Sequence, residues 1–122
     1  DKTIFAGMYG VWGTPALYQD IVIFPTNAGN VFGLDRMTGE ERWRFRLTRT
    51  HSSPVVVDDV LFIGDCTGNF YAYDIADTKA APTRLWGMKL GGCVESTPAM
   101  WKGVLYFADR GGKLHAITAK SP

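Results

Sequence analysis

The chain repeats itself, and the repetition limits its fold more than any other feature. Gly13-Thr14-Pro15-Ala16-Leu17 leads to Asp20-Ile21-Val22-Ile23-Phe24 and then to a stretch from Ala28 to Asp35. Ser52-Ser53-Pro54-Val55-Val56 leads in the same way to Asp59–Ile63 and Thr67–Asp74. Ser96-Thr97-Pro98-Ala99-Met100 leads to Gly103–Phe107 and Gly111–Thr118. The prolines fall 39 and 44 residues apart, and the surplus fits an insertion at Ala76–Thr83, where Asp, Thr, Lys, Ala and Pro cluster without period. A period of about 40 residues marks stacked supersecondary units, none of which can bury its apolar faces alone.

Each unit reads as strands. Val55–Val57 and Val60–Ile63 flank Asp58-Asp59, a two-residue turn between β-branched runs, and Gln19-Asp20 and Lys102-Gly103 hold the same place. A second turn follows at Ala28-Gly29-Asn30, Thr67-Gly68-Asn69 and Gly111-Gly112-Lys113, where glycine supplies positive φ. A third strand comes next at Val31–Leu34, Phe70–Tyr73 or Leu114–Ile117. A fourth strand is predicted in Glu41–Thr48, where Trp43, Phe45 and Leu47 alternate with Arg42, Arg44 and Arg46. Arg84–Leu90 is its counterpart, through Trp86, Met88 and Leu90. The expected fold is all-β: about three four-stranded antiparallel meanders, each the size of a propeller blade, and incomplete as a closed ring.

Leu34-Asp35-Arg36-Met37-Thr38-Gly39-Glu40-Glu41-Arg42-Trp43 resembles the tryptophan-docking motif of the pyrroloquinoline-quinone-type (PQQ-like) β-propeller repeat, with Gly33 where that family usually has Ala. The second repeat keeps Ala72, Asp74 and Trp86 but loses Thr-Gly to the insertion. The third keeps Ala116, has Thr118 for Asp, and ends before a Trp. The resemblance implies that the Trp packs between neighbouring blades while Thr38-Gly39 makes the turn into the fourth strand, with Asp35 part of the same motif. It also implies two branches of function. Quinoprotein dehydrogenases bind pyrroloquinoline quinone with calcium on the propeller face, characteristically under an adjacent Cys-Cys pair. The other branch is non-catalytic: an outer-membrane assembly lipoprotein and extracytoplasmic sensor domains. Cys66 and Cys93 are not adjacent, so the favoured expectation is a scaffold or sensor module without cofactor, located in the periplasm or outside the cell. The alternatives are part of a quinone-dependent dehydrogenase and a carbohydrate- or peptide-binding propeller.

The whole of residues 1–122 is expected to form one propeller segment, with blades at roughly 13–51, 52–95 and 96–122. Residues 1–12 are expected to serve as the fourth strand of a neighbouring or partner blade, because the third repeat stops before its own. The chain opens at Asp1 with no signal-like stretch and so reads as a processed form or an excised piece. Its partners would be the remaining blades of a longer chain, a second copy exchanging that strand, or another protein.

Function is expected on the face that carries the second turns and the crossings between blades. Three positions before each Pro stand Trp12, His51 and Glu95; at the second turn stand Asn27, Asp65 and Asp109, with Arg110 beside the last. The repeats agree in framework and differ here, as binding loops do. His51 has no evident nucleophile, Ser52-Ser53 is no nucleophile elbow, and Asp65–Asn69 lacks the oxygen series of a calcium loop, so no catalytic or metal residue is assigned. His115, flanked by Leu114 and Ala116, reads as an inter-blade residue.

Thirteen basic against twelve acidic residues make no electrostatic footprint for nucleic acid, and the Arg42-Arg44-Arg46-Arg49 stripe reads as protection of a blade's outer edge. No stretch approaches the roughly 20 apolar residues of a membrane-spanning helix. The two cysteines lack metal-site spacing and read first as buried thiols. A disulfide is the alternative, and it needs an oxidising compartment and Cα atoms within about 7 Å.

Overall fold

A computed structural model describes residues 10–118. These form eleven strands in three antiparallel sheets, with no helix among the described residues. The first sheet runs β1 (Ala16–Tyr18), β2 (Ile21–Pro25), β3 (Asn30–Asp35) and β4 (Glu41–Arg46), in that spatial order. The second runs β5 (Val55–Val57), β6 (Val60–Gly64), β7 (Asn69–Asp74) and β8 (Thr83–Lys89). The third holds β9 (Ala99–Trp101), β10 (Val104–Ala108) and β11 (Leu114–Thr118), with β10 in the middle. These are propeller blades in sequence order. The segment expected to supply a further strand, residues 1–12, lies almost wholly outside the described residues, and residues 10–12 are not strand.

The turns behave as the sequence predicts. The β1–β2, β5–β6 and β9–β10 hairpins close through two residues, the first of each in the left-handed region: Gln19, Asp58 and Lys102 at φ 49°, 54° and 48°. At the second turn Gly29 takes φ 100°, and a Cβ there would lie 2.3 Å from the Thr48 carbonyl oxygen. Only glycine suits both conditions.

Alternation along the strands makes each sheet apolar on two faces. On the first, Ile21, Ile23, Val31 and Trp43 face the second sheet, meeting Leu61, Ile63, Tyr73 and Ile75. On its other face Phe24, Phe32 and Leu34 gather over Val22. Phe62, Phe70 and Ala72 of the second sheet meet Leu105 and Phe107 of the third, with Val94 of the intervening linker; Trp86 packs against this group. Phe70 stacks on Phe107 at 3.9 Å between ring centroids. Trp43 is 4% exposed. Its indole N–H, expected to find a backbone acceptor, meets none among the described residues, and neither does that of Trp86. Ala116 lies exposed on β11, whose outer edge carries no fourth strand among the described residues.

Gly33 explains itself by contact. It pairs across the sheet with Trp43, whose ring lies over it: a Cβ at Gly33 would stand 2.2 Å from Trp43 Cε2. Ala72 holds the same position opposite Trp86, a ring only partly buried. Gly33→Ala is therefore expected to destabilise the chain by about 1–3 kcal/mol, the usual cost of overpacking. A denaturation midpoint equal to that of the parent would show that the ring can yield.

The stretch between β3 and β4 is held by Asp35. Its Oδ1 accepts from the backbone N–H groups of Met37 and Thr38, both at 2.9 Å, and Oδ2 accepts from Arg42 at 2.5 Å. Gly39 takes φ 74° to complete the turn. Arg42 does not share a face with Arg44 and Arg46, as strict alternation predicts. The register slips between Gly33 and Leu34, leaving Arg42 as the extra residue of a bulge. Its guanidinium turns to Asp20, 2.8 Å away, and to Thr78 in the second sheet's insertion loop. The backbone donors of Thr38 and Met37, then Arg42, bring the Asp35 carboxyl down to about 2 from an ordinary 3.8. A depressed folded-state value stabilises above the unfolded value and loses that stabilisation as pH falls through the folded one. Thermal stability should therefore decline between about pH 4 and 2. Asp35→Asn should flatten that decline, and a variant with the parent's acid profile would remove Asp35 from its cause.

Candidate functional site at the linker and turn rim

A single backbone hydrogen bond, repeated three times, builds the rim. The amide of Asn27 donates to Gly10, that of Cys66 to Arg49, and that of Arg110 to Cys93, at 2.9, 2.7 and 2.9 Å. Each bond ties the second turn of a sheet to the linker leading into it. The preceding residue of each turn closes its own loop: the amides of Thr26, Asp65 and Asp109 donate to the carbonyls of Asn30, Asn69 and Lys113. The structural equivalents are thus Thr26, Asp65 and Asp109 in one set, and Asn27, Cys66 and Arg110 in the other.

This corrects the expected register by one residue and divides the candidate residues. Asp65 and Asp109 are buried and face inward to their turns. Asp65 Oδ1 accepts from the Thr67 amide and hydroxyl and from the Asn69 amide, at 3.0, 2.9 and 3.0 Å. Asp109 Oδ2 lies 2.6 Å from His115 Nε2, the first cause of its lowered pKa. His115 in turn stacks on Phe107, so it braces a turn within its own sheet.

The other candidates converge. Trp12, 68% exposed, lies over His51 with ring centroids 4.5 Å apart. Its indole N–H donates to the Asn27 side-chain oxygen at 2.9 Å, with the Asn27 amide nitrogen donating to the Gly10 carbonyl. His51 Nδ1 lies 3.3 Å from Glu95 Oε1, and Glu95 Oε2 lies 3.2 Å from Arg110 Nε. The result is one continuous line, Asn27–Trp12–His51–Glu95–Arg110, across three repeats. Ser52-Ser53 serves the linkers beneath: Ser53 Oγ accepts from the Thr14 amide and Ser52 Oγ donates to the Ser96 carbonyl.

Cys66 and Cys93 form a disulfide, against the expectation of two free thiols. Cys66 belongs to the β6–β7 turn and Cys93 to the linker entering the third sheet, and these segments meet on one face. Spacing alone does not reveal that meeting. The same fold brings donor atoms of His51, Cys66, Cys93 and Glu95 within 4.8 Å of one another, where the sequence assigns no metal ligand. This set does not suit calcium, which takes six to eight oxygens; Asp65 and Asp109 are spent on their own turns.

Beside Cys93, Glu95, Ser96 and Arg110 lies a hollow of about 160 Å³. A larger groove, about 810 Å³, is lined by Val57, Val60, Phe62, Leu85 and Met100 between the second and third sheets, on the side of the two-residue turns and away from the rim.

A family model described as outer membrane protein assembly factor BamB matches residues 7–121. The chain belongs to this family of PQQ-like propellers. BamB from Moraxella catarrhalis superimposes with a TM-score of 0.72 at 29% identity, over 85% of this chain and 32% of that one. Two quinohemoprotein alcohol dehydrogenases share the fold. That from Comamonas testosteroni gives a TM-score of 0.77 at 18% identity, over 93% of this chain and 20% of its own. ADHIIG from Pseudomonas putida gives 0.79 at 16%, over 93% and 19%. The chain therefore spans about a third of the length of BamB and about a fifth of the dehydrogenases. No curated protein sequence matches it.

Proposed function

We propose that the chain is a non-catalytic propeller segment whose rim binds a protein partner, as the description of BamB as an assembly factor suggests. The observation that carries this reading is the continuous rim line from Trp12 to Arg110. It offers an exposed indole, a carboxylate and a guanidinium at the positions where otherwise matching repeats diverge. Aromatic and arginine side chains of this kind dominate protein interfaces. The adjoining hollow of 160 Å³ accepts a side chain; small-molecule pockets run to about 300–1,000 Å³. The disulfide supports an oxidising compartment. Leu114 on β11 and Trp101 on β9 are exposed, which supports completion by further blades or by a second copy; a solution mass twice the 13.5 kDa of the chain would identify the second copy.

Binding of a peptide array to the parent and to Trp12→Ala and Arg110→Ala tests the rim. Both side chains are exposed, so melting temperatures should hold within a few degrees. Peptides bound by the parent should bind each variant at least about tenfold more weakly, the loss of one 1.4 kcal/mol contact. Equal binding would remove the rim from the interface. A quinone absorption band retained after mixing with pyrroloquinoline quinone and calcium would overturn the non-catalytic reading.

A further inference from the structure

The donors that converge at the rim do not need a partner protein to have a use, and the inference drawn from them is independent of the scaffold reading. We propose that, with the Cys66–Cys93 disulfide reduced, His51, Cys66, Cys93 and Glu95 form a tetrahedral site for a zinc-like divalent cation. Two thiolates, an imidazole and a carboxylate are the ligand types zinc takes. They come from three segments: His51 from the linker between the first two sheets, Cys66 from the β6–β7 turn, and Cys93 and Glu95 from the next linker. Each segment is fixed by the backbone bonds that build the rim.

The distances fit. With metal–nitrogen and metal–oxygen bonds of about 2.0–2.1 Å, two ligands of a tetrahedron stand roughly 3.3 Å apart. His51 Nδ1 and Glu95 Oε1 are already 3.3 Å apart, and all four donor groups lie within 4.8 Å. Two thiolates on one zinc stand roughly 3.7 Å apart, a separation open to them once the covalent bond is cleaved. Arg110, on the second oxygen of Glu95, and Trp12, over the imidazole, hold those two ligands in place.

The chemistry balances through thiol–disulfide exchange. A dithiol reduces the Cys66–Cys93 bond and leaves as its own disulfide, its two protons passing to the two sulfurs. Both protons are released when the cation binds. Oxidation by a disulfide donor reverses the sequence and expels the ion, so redox state selects between a covalent and a metal-held crosslink of the same two segments.

Cobalt(II) is the probe, because thiolate ligation gives a near-ultraviolet charge-transfer band and tetrahedral geometry gives strong visible bands. The full chain reduced with a phosphine should develop both on titration, saturating at one ion per chain, and zinc should displace them. The oxidised chain and the chain carrying Cys66→Ser with Cys93→Ser should develop neither. His51→Ala should weaken cobalt binding by more than roughly 100-fold, the most that loss of a mere outer partner costs. Far-ultraviolet circular dichroism accompanies each titration. The proposal is overturned if the reduced chain gives no bands, whether it stays folded or unfolds. It is equally overturned if His51→Ala binds like the parent, which would mean two thiols acting without the site.

Discussion

Trp43→Ala is expected to lower stability by about 3–5 kcal/mol, in the range of buried aromatic truncations. For 122 residues that corresponds to a melting temperature lower by roughly 12–20 °C at about 2.1 cal/mol/K per residue. The ring lies at the junction of the first two sheets, 4% exposed, near Phe45 and in one apolar cluster with Leu61, Ile63 and Tyr73. Removing it opens a cavity in a rigid place, because the backbone beneath is Gly33, which has no side chain to fill the space. A hydrogen bond contributes nothing here, since the indole N–H has no acceptor among the described residues. Trp43→Phe should therefore retain more than half of the stabilisation that Trp43→Ala loses. If the two variants melt together, the ring is held by something other than packing. Trp86→Ala offers the internal comparison: its ring is only partly buried, and its loss should cost less.

The fold was legible because a period of about 40 residues repeats the same turn chemistry. The positive φ values at Gln19, Asp58 and Lys102 and at the turn glycines follow from that pattern. The rim was less legible, and the reason is local. Thr26 stands in the first repeat where the others carry Asp65 and Asp109, so aligning polar side chains paired Asn27 with the wrong residues. The turn glycines Gly29, Gly68 and Gly112 do align, and counting back two residues from each gives the observed set Asn27, Cys66 and Arg110. Trp12, His51 and Glu95 hold one repeat position, three before Pro15, Pro54 and Pro98, yet no spacing says that Arg110 reaches Glu95. Strict alternation misplaces Arg42 because a bulge interrupts it, and the glycine at the slip, Gly33, stands on the partner strand and not on β4. The disulfide was hidden because its two cysteines occupy different positions in consecutive repeats. One sits in a turn and the other in a linker, and only the turn-to-linker bonds bring those together.

Those bonds set the second large effect. Replacing both cysteines, Cys66→Ser with Cys93→Ser, should cost about 3.5 kcal/mol by the loop-entropy relation for a crosslink spanning 27 residues. The corresponding fall in melting temperature is roughly 14 °C. The loss should be unevenly distributed. The bridge fastens the linker that carries Val94, a fully buried residue of the second apolar cluster. The Val94 amide donates to Asp65 at 3.0 Å and its side chain fills the space over Gly64. Without the crosslink, that linker is held by backbone bonds and one valine. Amide hydrogen exchange should therefore quicken first at Val94 and Arg110, whose amide donates to Cys93. Ile23, Val31 and Ile63 at the other junction should keep their protection until global unfolding. Uniform loss of protection across all three sheets would mean that the crosslink acts through the unfolded chain alone. An unchanged melting temperature would mean that the turn and linker are already fixed by their hydrogen bonds, with the disulfide adding no constraint.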